Sequence, residues 1–184
     1  MGFFSKLFGG TNEDEIDFNV YLEFAKLISL DDEKVLSEVK ELITRTDAFI
    51  SKNKEFYENR GIDLGKWKRP RLIWMGFADI LINNGFAEEF DWKCELECFE
   101  SLLAEIKSFK VYDLELPPLT EDKNDVYEWI KTINTIWQEQ GFCLMQMYID
   151  SDSYVLFVCK TDKLKRLTEL AKSINHRIDF AQNM

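Results

Sequence analysis

The sequence predicts an α+β fold: helices packed on a small, mostly antiparallel sheet whose C-terminal part runs strand, strand, helix, strand. Three observations carry this. Apolar residues recur at helical spacing through most of the first 140 residues. Two later runs, 142–149 and 154–159, are apolar on both alternating faces, as strands covered on both sides are. A short alternating segment, 176–181, then follows the last helical pattern and reads as an outer strand.

In chain order, Val20, Tyr21, Phe24, Leu27 and Ile28 mark the first helix, over 19–28. Asp31 or Asp32 caps a second, long helix that carries Val35, Leu36, Val39, Leu42, Ile43, Phe49 and Ile50. It ends near Arg60, with Gly61 as the stop. Pro70 suits the first turn of a third helix, over 70–83, which is apolar around most of its circumference and is expected to be the most buried. After Asn84 and Gly85, residues 86–92 read as a short strand. Residues 95–108 return to a helix with Leu96, Phe99, Leu102, Leu103 and Ile106 on one face. Pro117 and Pro118 break an acidic loop. The helix over 125–140 has the stripe Val126, Trp129, Ile130, Ile133, Ile136 and Trp137, and Gly141 caps it. Residues 161–173 form the last helix, with Leu164, Leu167 and Leu170 inward.

Length suits one globular domain over 16–184, preceded by a flexible apolar segment over 1–15. That segment carries Phe3, Phe4, Leu7 and Phe8, too short a run to span a bilayer, and is expected to lie loose or docked on the protein itself. Lys+Arg number 23 against Asp+Glu 34, a net charge of -11 that opposes binding to nucleic acid or anionic membrane and suits a basic protein partner or solubility alone. Cys94, Cys98, Cys143 and Cys159 read as reduced thiols of a cytoplasmic protein. No pattern calls for a cofactor.

Four groups of residues are candidate sites. Asp150 and Asp152, in the run IDSDSYVLFV, could hold a divalent cation, but no phosphate loop or base accompanies them. Asp and Ser also close turns through their own backbone, so a hairpin link explains the same residues. Glu88, Glu89, Asp91, Trp92 and Glu95 form an acidic, aromatic stretch: a strand end and an acidic first helical turn, or a surface for a protein partner. Lys66, Lys68, Arg69 and Arg71 surround Trp67 at a helix start, where cations oppose the dipole. They need an acidic partner, from this same chain or from a bound anion. His176 stands by itself as a histidine and reads as structural.

The helix entry at Asp91, Trp92 and Lys93 and the hairpin IDSDSYVLFV resemble an uncharacterised bacterial family of unknown function, over Leu72 to Phe180. As a small acidic α+β domain the chain is also similar to immunity proteins of bacterial polymorphic toxin systems. The resemblance implies no catalytic residues, and the expected function is a non-catalytic cytoplasmic binding protein of bacterial type for a basic partner. A metal-dependent enzyme using Asp150 and Asp152, or a protein recruited to membranes by its first ten residues, are the alternatives.

Overall fold

The computed structural model describes residues 18–121 and 126–183. The apolar N-terminal segment, and the part of the acidic loop at 122–125, lie outside the described residues.

The first helix, α1 (Phe18–Ser29), matches the predicted one. Asp32 caps α2 (Glu33–Thr44), its carboxylate accepting the Val35 N–H at 3.0 Å. The single long helix expected from here to Arg60 is instead three: α2, α3 (Thr46–Lys52) and α4 (Lys54–Asn59). Side chains that compete for the helical carbonyls mark both breaks. Thr44 Oγ1 donates to the Lys40 carbonyl at 2.7 Å, and Asn53 Nδ2 to the Phe49 carbonyl at 2.9 Å. The apolar stripe runs on across both breaks, and the bends turn its later members, Phe49 and Tyr57, into the same core as Leu42 and Ile43.

Helix α5 (Arg69–Asn83) has Pro70 in its first turn, and every residue from Leu72 to Leu81 is buried. Close packing explains Gly76: a Cβ there would stand 2.6 Å from the Tyr57 hydroxyl and 3.1 Å from Leu42 Cδ1. Gly85, at φ +72°, then turns the chain into strand β1 (Glu88–Asp91).

The next predicted helix is divided too, into α6 (Leu96–Glu105) and α7 (Lys107–Val111). Ile106 takes an extended ψ of 125°, which frees the Lys107 N–H to bond the Gly85 carbonyl at 2.8 Å. After α8 (Val126–Glu139) come β2 (Phe142–Met147), β3 (Ser153–Lys160), a 3-10 turn (Thr161–Lys163), α9 (Leu164–Ser173) and β4 (Ile178–Phe180). A 3-10 turn (Ala181–Asn183) follows.

The strands form one sheet in the order β1-β3-β2-β4, with every neighbouring pair antiparallel. Pairing of Cys143 with Cys159 and of Met147 with Val155 fixes which side chains share a face. Cys143, Met145, Met147, Val155, Phe157 and Cys159 pack into a core with α1, α2, α5 and α9. Leu144, Leu156 and Val158 enter a second core on the opposite face with Phe99, Leu103, Trp129, Ile133 and Trp137 from α6 and α8. This is why β2 and β3 are apolar on both faces: they are the two central strands, covered by helices on each side.

One member of the predicted α8 stripe is displaced. Ile136 is 38% exposed, whereas Asn134 is fully buried. Its amide grips a strand: Leu144 N–H donates to Asn134 Oδ1 at 2.7 Å, and Asn134 Nδ2 donates to the Leu144 carbonyl at 2.9 Å. Pairing of β4 with β2 covers only Met145 to Met147. Asn134 therefore supplies the hydrogen bonds that a longer β4 would have given to Leu144.

Candidate functional site

The two charged features that looked separate in the sequence meet at the β2–β3 hairpin. Asp150, at φ +59°, lies in the turn between Met147 and Ser153, and its carboxylate accepts from Arg71 Nη2 at 2.5 Å. The Arg71 guanidinium also lies 3.5 Å from the Trp67 ring centroid. Trp74 Nε1 donates to the Tyr148 carbonyl at 2.8 Å, which ties the hairpin to α5. The other basic residues sit along the same chain entry: Lys66 pairs with Asp63 at 2.9 Å, Arg69 with Asp47 at 3.7 Å, and Lys68 is the N-cap of α5. Lys66, Arg69 and Arg71 thus have carboxylate partners from this chain. A cation at Asp150 would have to displace Arg71, and Asp152 is exposed beside it. Among the described residues no group of three or more His, Cys, Asp or Glu is arranged to hold a metal ion.

His176 stacks on Trp74, with ring centroids 4.3 Å apart and planes 3° from parallel. Burial lowers its pKa to about 4, against a hydrogen bond to the Pro70 carbonyl that favours the charged form. The ring is neutral at pH 7 and serves as packing.

A second polar cluster joins α2, α4, α5 and β1. Arg60 donates through both Nη atoms to the Glu89 carboxylate, which also accepts from the Ser153 hydroxyl. Burial pushes the Glu89 carboxyl up, but the Arg60 hydrogen bonds, the Ser153 hydroxyl and the Arg60 charge outweigh it, and the net pKa is lowered. Asp79, missed in the sequence, sits in the middle of α5 and is buried. Burial raises its pKa to about 6, with Glu38 and Glu89 adding to the rise and Arg60 opposing it. A single carboxylate inside an otherwise apolar helix was the signal available for it.

The folded state binds the Asp79 proton more tightly than the unfolded chain does, so its contribution to stability is full below the ordinary 3.8 and is lost as pH rises through about 6. Asp79→Asn is accordingly expected to raise stability by about 2 kcal/mol above that range and by little below it, in urea unfolding followed across pH.

The acidic, aromatic stretch divides between interior and surface. Glu89 belongs to the Arg60 cluster, and Glu88 is half-buried, its carboxyl pushed up by burial. Asp91, Trp92 and Glu95 face solvent. A tight turn follows β1: Cys94 N–H donates to the Asp91 carbonyl at 3.0 Å, and Lys93 N–H to Asp91 Oδ1 at 2.8 Å. The turn projects Trp92, 53% exposed, at the edge of a groove of about 540 Å³ lined by Trp92, Lys93, Cys94, Glu95, Leu96 and Glu121. Burial, the adjoining Cys98 thiol and the charges of Asp91 and Glu95 push the Cys94 thiol up to about 12, so it stays protonated and weakly nucleophilic. What this surface offers is an aromatic face bordered by carboxylates. Trp92 and Glu95 are neighbours in sequence, and the tertiary fold brings Glu121, from the acidic loop, beside them.

Among the described residues, no helix is long and apolar enough to cross a membrane. No curated protein and no solved structure matches the chain. The profile of one family matches residues 20–181, which takes in all four strands and the Trp92 groove. The chain belongs to that family, described as a domain of unknown function (DUF6630).

Proposed function

We propose that the protein is a non-catalytic cytoplasmic binding protein of bacterial type, similar in role to immunity proteins, that captures a basic protein partner at the Trp92 groove. The observation that carries this reading is the half-exposed indole of Trp92 beside Glu95 and Glu121. Large aromatic side chains are favoured anchors of protein interfaces. The net charge of -11 speeds encounter with a basic partner and disfavours acidic competitors. Arg60–Glu89 and Arg71–Asp150 are pairs satisfied within the chain, which leaves the Trp92 turn as the more available of the candidate surfaces. The reading is tested by pull-down from the native lysate with wild-type and Trp92→Ala/Glu95→Gln baits. A partner held by the wild type, released as salt rises and lost with the double variant supports the proposal. Equal capture by both baits, or capture insensitive to salt, counts against it.

A further inference from the structure

We infer that the groove recognises one Lys or Arg side chain of its partner on the Trp92 face, and that Lys93 occupies that face in the free protein. This rests on the proposed role of the groove and specifies its ligand. Lys93 Nζ lies 4.6 Å from the Trp92 ring centroid. An indole face attracts an ammonium or guanidinium through its quadrupole, so the chain's own lysine already shows which chemistry the face accepts.

The two side chains project from a turn that Asp91 holds at both ends, through its carbonyl and its carboxylate. The backbone that carries Trp92 is thereby held in a defined turn, so binding a cation there need not order the chain first. Glu95 and Glu121 line the same groove and supply the negative potential that a cationic side chain requires. Lys93 is itself exposed, so displacing it returns its ammonium to water. It therefore acts as a competing intramolecular ligand that weakens capture without blocking it.

The test uses blocked tetralysine and tetraarginine peptides as probes, with affinity read by calorimetry on the full chain. An exposed cation–π contact corresponds to a change of about two- to fivefold in affinity. Lys93→Gln is expected to tighten binding by that factor. Lys165→Gln removes an equal charge from exposed α9, where Lys165 pairs with Glu169 at 3.9 Å, and reports the general electrostatic gain alone. Trp92→Leu should weaken both peptides and erase the difference between Lys93 and Gln at position 93. The inference is overturned if Lys93→Gln binds no tighter than Lys165→Gln, if Trp92→Leu binds as the wild type does, or if neither peptide binds. A partner captured through Trp92 in the pull-down, with no peptide binding, removes this inference and leaves the proposed function standing. The expected peptide pattern with no captured partner does the reverse.

Discussion

Asn134→Ala is expected to lower folding stability by about 3 kcal/mol, measured by urea unfolding with an unchanged slope. The side chain is fully buried and forms both hydrogen bonds of Leu144 on the side of β2 that β4 does not reach. Truncation leaves a buried N–H and a buried C=O without partners, each costing about 1–3 kcal/mol, and opens a small void between α8 and the sheet. Asn134→Asp keeps the acceptor for the Leu144 N–H but sets a carboxylate against the Leu144 carbonyl, so it should rescue little. Ile136→Ala, two residues along the same helix, should cost under about 1 kcal/mol because that side chain is already 38% exposed. A reversed order of these two costs would refute the assignment of Asn134 as the surrogate for a longer β4.

Arg60→Met is expected to cost about 3 kcal/mol at neutral pH, with the deficit shrinking on acidification. Arg60 is the hydrogen-bonding cation of Glu89 and the nearby positive charge that opposes the raised pKa of Asp79. Removing it leaves two carboxylates in a partly dry site with Glu38 close by. In the wild type the lowered Glu89 pKa contributes stability that is present above the unfolded value of 4.5 and is lost as pH falls through the folded value. In the variant burial has little to oppose it, so Glu89 and Asp79 both rise and the folded state takes up protons instead. The gap between the two proteins is therefore widest above the raised values and closes below the lowered one. Arg60→Met/Glu89→Gln should regain most of the loss at neutral pH, since the buried charge goes with its partner. A deficit that stays constant with pH would show that Arg60 acts through packing on Phe56, 4.9 Å from its guanidinium carbon, and not through charge.

Much of the fold was legible because the hydrophobic pattern is a local signal. Apolar residues on both faces of 142–149 and 154–159 placed these strands at the centre of the sheet, and that is where β2 and β3 lie. Gly61, Gly85 and Gly141 were read as helix stops, and each has a positive φ. The breaks at Arg45, Asn53 and Ile106 were not legible, since the apolar stripe continues across them and only a side-chain bond to a carbonyl or a distant backbone partner interrupts the helix. Asn134 was not among the expected inward residues of its helix, because its role depends on where β4 stops, a fact of the tertiary structure.

The candidate sites were less legible for the same reason. Asp150 and the basic run at 66–71 were identified as charged features, and an acidic group from this chain was one of the two partners expected for the run. That Asp150 is the partner of Arg71 could not be read from residues 79 positions apart. Glu89 appeared to belong with Trp92 and Glu95 because they are neighbours in sequence. In β1 successive side chains alternate in direction, and Arg60, 29 residues away, draws Glu89 inward.

In the proposed function, recognition falls on the Trp92 turn while the charged pairs at Arg60 and Arg71 hold the fold. The most direct measurement is a residue-level amide-exchange footprint of the protein with its captured partner, set against the free chain. Protection confined to the turn at Trp92 and Lys93, the first turn of α6 and the neighbourhood of Glu121 is the predicted result. Protection centred on Trp67, Arg71 and the hairpin turn at Asp150, with the Trp92 turn unchanged, would contradict it.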